Sequence, residues 1–282
     1  MSFQLEIELY YSSGLADGAV LGHVARTLAS LAPKWNSSAH VYHESELERL
    51  HLEKPGELAR LVFKDKPGTG PVYNALTEKY GVGDERTMGG TEFRSADKSL
   101  ILIVWYDDYL ASFSGEVLLL GNSITLQICR TKVEKQDAGK WAETCFRQLC
   151  SLGDIWHGFA GTLDEYDSKN MDFSEGMCAI GRDYSRALPG LYWLNYFGGT
   201  YLNAMGADNV LNAPAAEVQR IQDGALVKVF DNPRDWDSAG SIDTQKRVVD
   251  HLGRQFFFDR ARGYTGTVTP DLHQLKIRRF KG

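Results

Sequence analysis

An apolar, aromatic segment between residues 189 and 199 constrains the fold more than any other part of this sequence. Pro189-Gly190 precedes the run Leu191–Phe197, which one asparagine, Asn195, interrupts, and Gly198-Gly199 follows it. Proline and glycine mark the boundaries of short elements and aromatic residues are enriched in strands, so the run predicts a buried strand. A buried amide needs hydrogen-bond partners, and paired glycines permit a positive φ or a close backbone approach. We therefore predict a central core strand here rather than a ligand site.

The length and composition allow a large core without disulfides or metal ions. A chain of 282 residues with 43% hydrophobic residues is long enough for one large domain or two small ones. It opens with a strand-like alternation, so we expect no signal peptide, no membrane span and a cytoplasmic location. No Cys-x-x-Cys spacing occurs, which predicts reduced core cysteines rather than a zinc site at Cys129, Cys145, Cys150 and Cys178.

Hydrophobic periodicity predicts the elements of the first half. Phe3, Leu5, Ile7 and Leu9 alternate with polar or tyrosine residues, which is typical of a strand with one buried face. In chain order we predict a strand over 3–10, a helix over 18–31, an insertion at 35–96 with short helices over 44–52, 57–63 and 72–80, a strand over 100–106, a hairpin of 116–120 with 123–129, and a helix from 141 to 152.

The second half reads in the same order of strand, hairpin and long helix. A strand over 191–197 precedes a hairpin of 218–222 with 225–230, whose turn is Asp223-Gly224. A helix carrying Val248 and Leu252 follows, and Gly253 ends it.

The parallel order suggests an internal duplication at an offset of about one hundred residues. Glu116-Val117 matches Glu217-Val218 at this offset, and Leu152-Gly153 matches Leu252-Gly253. We therefore predict an α+β fold, with antiparallel sheets covered by helices on one face, and two similar halves at residues 1–153 and 154–282.

The sequence lacks the common motifs of catalysis and cofactor binding. It contains no Gly-x-Ser-x-Gly elbow, no phosphate-binding loop and no dinucleotide fingerprint. His40, His43 and His51 cluster with Glu44 and Glu46, but their spacing does not match a metal-binding helix. We therefore predict a binding module that is not an enzyme and that carries no catalytic residue, metal or cofactor.

The charge of the chain is negative and unevenly distributed. The net charge is −6, and acidic residues crowd the segments 164–175 and 231–243, whereas the C-terminal tail is basic. An acidic surface repels nucleic acid and attracts basic partners over long range. Ordinary solvated loops are the alternative interpretation.

The segment from Leu188 to Gly198, with Thr200–Leu202 and Val227–Val229, resembles the signature of the bacterial immunity protein 52 family. The resemblance covers residues 153–252 and includes the signature positions Pro189, Gly190, Tyr192, Trp193, Asn195, Phe197 and Gly198. It implies a cytoplasmic antitoxin that binds and neutralises an effector of a type VI secretion system. In that family the usual effector is a nuclease of the restriction-endonuclease-like class.

A nuclease must grip DNA through a basic surface, for which acidic segments are electrostatic partners. We therefore predict a toxin-binding surface made of Asp164, Glu165, Tyr166, Asp167, Asp172, Asp231, Asp235, Trp236 and Asp237. Neither nucleic acid nor a membrane is an expected partner. Two alternatives stay open at this point: an enzyme that uses Cys178 or the histidines at 40–51, and a scaffold that forms homodimers or larger assemblies through an exposed sheet edge.

Overall fold

A computed structural model describes residues 4–12, 15, 18–31, 39–43, 46–49, 68–71, 85–95, 100–107, 111–114, 117–120, 122–129, 138–152, 155–174 and 178–270. The strands are β1 (Gln4–Tyr11), β2 (Ala39–His43), β3 (Glu46–Arg49), β4 (Gly68–Pro71), β5 (Glu85–Ser95), β6 (Leu100–Asp107), β7 (Ala111–Ser114), β8 (Val117–Leu120), β9 (Ser123–Cys129), β10 (Ile155–Thr162), β11 (Met171–Asp172), β12 (Cys178–Ala179), β13 (Leu194–Phe197), β14 (Glu217–Ile221) and β15 (Gly224–Lys228). The α-helices are α1 (Gly18–Leu31), α2 (Ala138–Cys150), α3 (Leu163–Asn170), α4 (Gly199–Met205), α5 (Ala207–Leu211) and α6 (Ala239–Leu252), and short 3-10 helices cover Pro233–Asp235 and Arg254–Phe256.

One large antiparallel sheet forms the centre of the molecule. Its strand order is β14-β15-β13-β10-β1-β9-β6-β5-β2-β3, and β4 also pairs with β5. Two further pairs, β7 with β8 and β11 with β12, form small separate sheets. The predicted α+β class is confirmed. The large sheet is continuous across the boundary predicted at residues 153 and 154, because β1 pairs with β10.

Helices cover both faces of this sheet, whereas the sequence predicted helices on one face. A Cβ added at Gly158 of β10 would meet Leu9 of β1 and Phe146 of α2, so α2 lies on the face of the sheet to which Leu9 points. A Cβ at Gly161 would meet Glu165 and Tyr192, so α3 lies on the opposite face. Neighbouring residues of a strand point to opposite faces, which makes both sides of this central region part of the core.

Strand β1 is accordingly buried on both faces, although its alternation predicted only one buried face. Leu5, Ile7 and Leu9 are at most 1% exposed, and Glu6 and Glu8 on the other face are only 7% and 6% exposed. Alternation identifies the apolar face of a strand but not what covers its polar face.

Two predicted elements of the first half were wrong in their pairing or type. Strand β8 pairs with β7, and β9 pairs with β1 and β6, so 116–120 and 123–129 do not form a hairpin. Residues 46–49 form strand β3 where a helix was expected, because pairing with β2 overrides a weak helical pattern. The helices predicted over 57–63 and 72–80 lie outside the described residues.

The strand order does not support the predicted duplication. Outward from the central pair, β1 is followed by β9 and then β6, whereas β10 is followed by β13 and then β15. The predicted correspondence matches β6 with β13 and β9 with β15, so it requires the reverse order in one half. Similar local patterns therefore serve different positions in the sheet.

The aromatic segment is a central strand, as predicted. Strand β13 lies between β10 and β15, and Tyr192, Trp193, Asn195 and Phe197 are at most 1% exposed. The strand begins at Leu194, later than predicted, because the Asn195 side chain closes a turn on the backbone of Tyr192. Gly198 has a φ of −68° and a ψ of 172°, so its lack of a side chain serves a close approach to β10.

Candidate partner-binding surface

The antiparallel register brings the two acidic segments to one end of the sheet. Leu194, the first residue of β13, pairs with Ala160 near the end of β10 and with Lys228 at the end of β15. Strands β10 and β15 therefore end at the same end of the sheet. Strand β10 continues into α3, and β15 continues into residues 229–237. The 3-10 helix Pro233–Asp235 also lies against β10.

Helix α3 contributes two carboxylates to this end. Asp164 is exposed and Asp167 is half-buried. Partial burial, followed by the negative charge of Asp164, raises the pKa of Asp167. Neither carboxylate forms an ion pair with any described residue. The first two turns of α3 therefore carry negative charge that the described fold does not neutralise.

Glu165 does not belong to this surface, which corrects the prediction from the sequence. It is fully buried, and its Oε1 accepts a 2.6 Å hydrogen bond from Lys169 Nζ. Burial raises the pKa of Glu165, although the charge of Lys169 opposes this effect. Thr162 caps the helix by accepting from the backbone N–H of Glu165 at 3.0 Å. The spacing of Thr162 and Glu165 is that of a capping box, a sequence signal for a role of Glu165 at the helix start.

The two predicted aromatic anchors pack partly into the fold. The Tyr166 hydroxyl accepts a 2.7 Å hydrogen bond from Arg182, and its ring stacks on Phe159. Trp236 is half-buried and packs against the core. Each ring leaves only part of its surface for a partner.

Asp172 lies beyond the C-terminal end of α3 and forms its hydrogen bonds with a neighbouring residue. Its carboxylate accepts hydrogen bonds from the backbone and hydroxyl of Ser174, at 2.9 Å and 2.8 Å, and lies 4.0 Å from Arg260. These hydrogen bonds, more than the Arg260 charge, lower the pKa of Asp172. The structure therefore separates Asp172 from the other predicted contacts.

The segment 231–237 presents the second set of carboxylates. Asp231, Asp235 and Asp237 are exposed, and none of them forms an ion pair with a described residue. Asn232 begins the 3-10 helix by accepting a 3.1 Å hydrogen bond from the backbone N–H of Arg234. This cap holds Asp235 in the first turn of a short rigid element rather than on an open loop.

A groove of about 570 Å³ lies beside these carboxylates. Its floor includes Val229 and Phe230, which are 0% and 6% exposed. The remaining lining residues come from the approach to β14, from the segment after β15 and from one side of α6: Pro214, Ala215, Ala216, Asp231, Asn232, Asp235, Ser238, Gly240, Ser241, Thr244 and Arg247.

A buried ionic cluster lies on the α3 side of β1, and sequence reasoning missed it. Arg182 Nη2 lies 2.5 Å from Glu8 Oε2, and the Tyr10 hydroxyl bonds to both groups. Burial raises the pKa of Glu8, but the charge and hydrogen bonds of Arg182 outweigh it and lower that pKa. Burial, together with the charge of Glu8, raises the pKa of Glu6 to about 8. These groups satisfy one another, which is the arrangement of a structural network that fastens Arg182 to the sheet.

His157 lies next to this cluster and is also fully buried. Its Nδ1 lies 3.1 Å from the carbonyl oxygen of Tyr196, which orients the ring. Burial lowers the pKa of His157 to about 4, so the imidazole is neutral at physiological pH. Its ring stacks on Phe197, which makes it part of the aromatic core around β13.

The residues of the alternative enzyme hypothesis are not brought into one site. Cys178 is exposed on β12, so the prediction of a core cysteine there was wrong. Cys145 and Cys150 are buried as predicted, and burial raises the pKa of both thiols, which makes them unreactive. The side chains at His40, His43 and His51 lie outside the described part. Within the side chains that are described, no group of three histidine, cysteine or acidic residues has the geometry to hold a metal ion.

Comparisons with known proteins give a likeness of fold. No family model matches the chain, and no curated protein matches it. A solved structure, the type VI secretion system protein PA0821 of Pseudomonas aeruginosa, is similar with a TM-score of 0.51 and 10% sequence identity. The likeness covers 97% of this chain and 81% of that one. At this identity the likeness shows a shared fold alone, and it does not show membership of the immunity protein 52 family. Among the described helices, none has the length and apolarity needed to span a bilayer.

Proposed function

We propose that this protein is an immunity protein that binds and neutralises a secreted effector of a type VI secretion system. The observation that carries the proposal is that two acidic segments lie at the same end of the sheet: α3 with Asp164 and Asp167, and the segment with Asp231, Asp235 and Asp237. Because the described residues do not neutralise these carboxylates, they form a negative surface suited to a basic partner.

The fold likeness to a type VI secretion protein and the signature resemblance support the same proposal. The signature residues form the core, so they identify the fold, while the carboxylates beside them remain available for contact. We further propose that the effector is a nuclease, because an enzyme that grips DNA carries a basic cleft. Charge complementarity then increases the rate of association and disfavours other partners.

The proposal predicts that an effector is encoded beside this gene, and a charge-reversal experiment tests binding to that effector. The variant Asp164→Lys/Asp167→Lys/Asp235→Lys/Asp237→Lys should associate at least about tenfold more slowly at low salt, because steering is a long-range electrostatic effect. The difference should shrink at high salt. The measurement is the association rate in biolayer interferometry at two ionic strengths, together with survival of cells that express the effector.

Two controls make the result specific. The pair Asp235→Lys/Asp237→Lys changes the net charge as much as Asp208→Lys/Asp250→Lys, and the second pair lies toward the other end of α6. Only the first pair should slow association. Cys178→Ala should leave protection unchanged, since a binder does not depend on one reactive side chain. An unchanged association rate for the fourfold variant at low salt would contradict the proposal, and loss of protection in Cys178→Ala would favour an enzyme.

A further inference from the structure

The groove beside the acidic segment has one wall of unusually small side chains. Gly240, Ser241 and Thr244 lie on the side of α6 that lines it, and Ala215 and Ala216 lie in the opposite wall. A Cβ added at Gly240 would meet no atom within 4 Å, so the space beside this position is open. Small residues on both sides leave room for an inserted side chain.

The floor and rim of the groove differ in polarity. Val229 and Phe230 give it an apolar floor, and Asp231 and Asp235 place two carboxylates at its rim. Such a site matches a side chain with a long apolar stem and a charged, planar end. Arginine has this form, because its methylene groups and guanidinium plane pack on apolar and aromatic surface while its N–H groups bind carboxylate oxygens in pairs.

The charges of the lining residues favour a cation. Arg247 is the cation among them, and its Nε already lies 3.0 Å from Asp243. The start of α6 contributes a partial positive charge of about one half. Two carboxylates at the rim, without ion pairs among the described residues, outweigh it. Outside the lining, Asp237 adds a negative charge and Arg234 a positive one on the same exposed segment, and these offset each other.

We infer that this groove receives an arginine side chain from a loop of the effector and acts as the central pocket of the binding surface. The inference rests on the proposed function and names the chemistry of its contact. Residues that dominate binding energy are commonly arginine or aromatic side chains seated in desolvated pockets. The surrounding carboxylates of α3 then steer the encounter, whereas the groove determines how long the complex lasts.

A groove-filling substitution tests the inference. Gly240→Leu places a side chain in open space and replaces glycine with a better helix former, so the variant should fold at least as stably as the native chain. Lys246→Leu is the matched control, because it adds leucine to an exposed position of the same helix outside the groove. Binding to the effector encoded beside the gene is measured by biolayer interferometry, and melting temperature confirms that both variants are folded.

We expect Gly240→Leu to weaken binding at least about tenfold, mainly through faster dissociation, and Lys246→Leu to change it less than about twofold. The double variant Asp231→Asn/Asp235→Asn should weaken binding similarly. In an NMR titration of the native chain, an acetylated Gly-Arg-Gly amide should shift the backbone amide resonances of Gly240, Ser241 and Thr244, whereas an acetylated Gly-Glu-Gly amide should not.

The outcomes separate the two hypotheses. If the native chain binds the effector and Gly240→Leu binds equally well, the groove inference is wrong while the proposed function stands. If the native chain does not bind the effector, the proposed function is wrong. If sedimentation shows a native dimer that Gly240→Leu dissociates, a second copy of this chain occupies the groove, which also overturns the inference.

Discussion

Replacing Gly198 with alanine tests how closely the signature segment packs against the centre of the sheet. Gly198 is the N-cap residue of α4, and its backbone N–H donates a 2.8 Å hydrogen bond to the carbonyl oxygen of Trp156 in β10. An added Cβ would lie 2.8 Å from that oxygen and 2.9 Å from the Cα of Trp156, and closer still to the carbonyl oxygen of Ile155. Ordinary contacts of a Cβ begin near 3.4 Å. All three atoms belong to the backbone of a central strand, so none of them moves without disturbing the pairing of β10.

The magnitude follows from this overlap. Forcing extra atoms into a packed core costs about 1–3 kcal/mol when side chains adjust, so a clash with backbone should cost about 3 kcal/mol or more. The backbone angles of Gly198 are accessible to alanine, and the loss therefore comes from the clash alone. For a chain of this size, such a loss lowers the melting temperature by at least about 6 °C.

Gly240→Ala is the control for this substitution. It makes the same change to the unfolded chain, but the new methyl group meets no atom within 4 Å. Alanine is better than glycine inside a helix by about 0.5–1 kcal/mol, so this variant should be more stable than the native chain. Thermal and urea unfolding, followed by circular dichroism, measure both. A Gly198→Ala variant within about 1 kcal/mol of Gly240→Ala would refute the packing argument.

Three further predictions concern buried polar groups. Burial and the Glu8 charge raise the pKa of Glu6 from 4.5 to about 8. The unfolded chain therefore releases this proton at lower pH than the folded protein, and the free energy of unfolding of the native protein falls as pH rises through this range. The Glu6→Gln variant should therefore match the stability of the native chain at pH 4 and become increasingly more stable than the native chain between pH 4.5 and 8. Urea denaturation at several pH values measures this, and identical profiles of stability against pH for the two proteins would contradict it. Glu8→Gln leaves the charge of Arg182 buried without its partner and should lower the free energy of unfolding by about 3–5 kcal/mol. The double variant Glu8→Met/Arg182→Met removes both charges and should lose less. Additive losses of stability in the double-mutant cycle would exclude coupling between the two residues. Asn195→Asp places a carboxylate against the Tyr192 carbonyl and should cost about 2 kcal/mol at pH 7 but less at pH 4, which thermal unfolding at both pH values checks.

The sequence was sufficient where local chemistry determines structure. The apolar run around Trp193 predicted a buried central strand, and Asn195 predicted a buried amide with hydrogen-bond partners, which it finds in the backbone of Tyr192. The hairpin predicted around Asp223-Gly224 exists as β14–β15, but its turn lies one residue earlier, at Gln222, with a φ of 52°, and Asp223, because Gly224 pairs with Ile221. Gly253, with a φ of 105°, marked the end of α6. Each of these features depends on side-chain polarity or backbone freedom within a few residues of chain.

The candidate surface was predicted only in part, because exposure depends on distant segments. The acidic composition identified Asp164, Asp167, Asp231, Asp235 and Asp237, which are exposed or half-buried. The same composition included Glu165, which α3 turns inward, and it gave no sign of the groove. A charge count does not distinguish a carboxylate in solvent from one paired inside the fold.

Composition, hydrophobic periodicity and turn residues thus determined the fold class, the core strand and the acidic character of the chain by themselves. The tertiary structure alone decided that β9 pairs with β1 rather than with β8, that Arg182 pairs with Glu8 on the polar face of β1, and that both acidic segments lie at the same end of the sheet. The physical reason is that local signals act through the geometry of neighbouring residues. Strand pairing and burial instead join residues far apart in the chain. The order of the strands therefore depends on how the whole sheet buries its apolar surface.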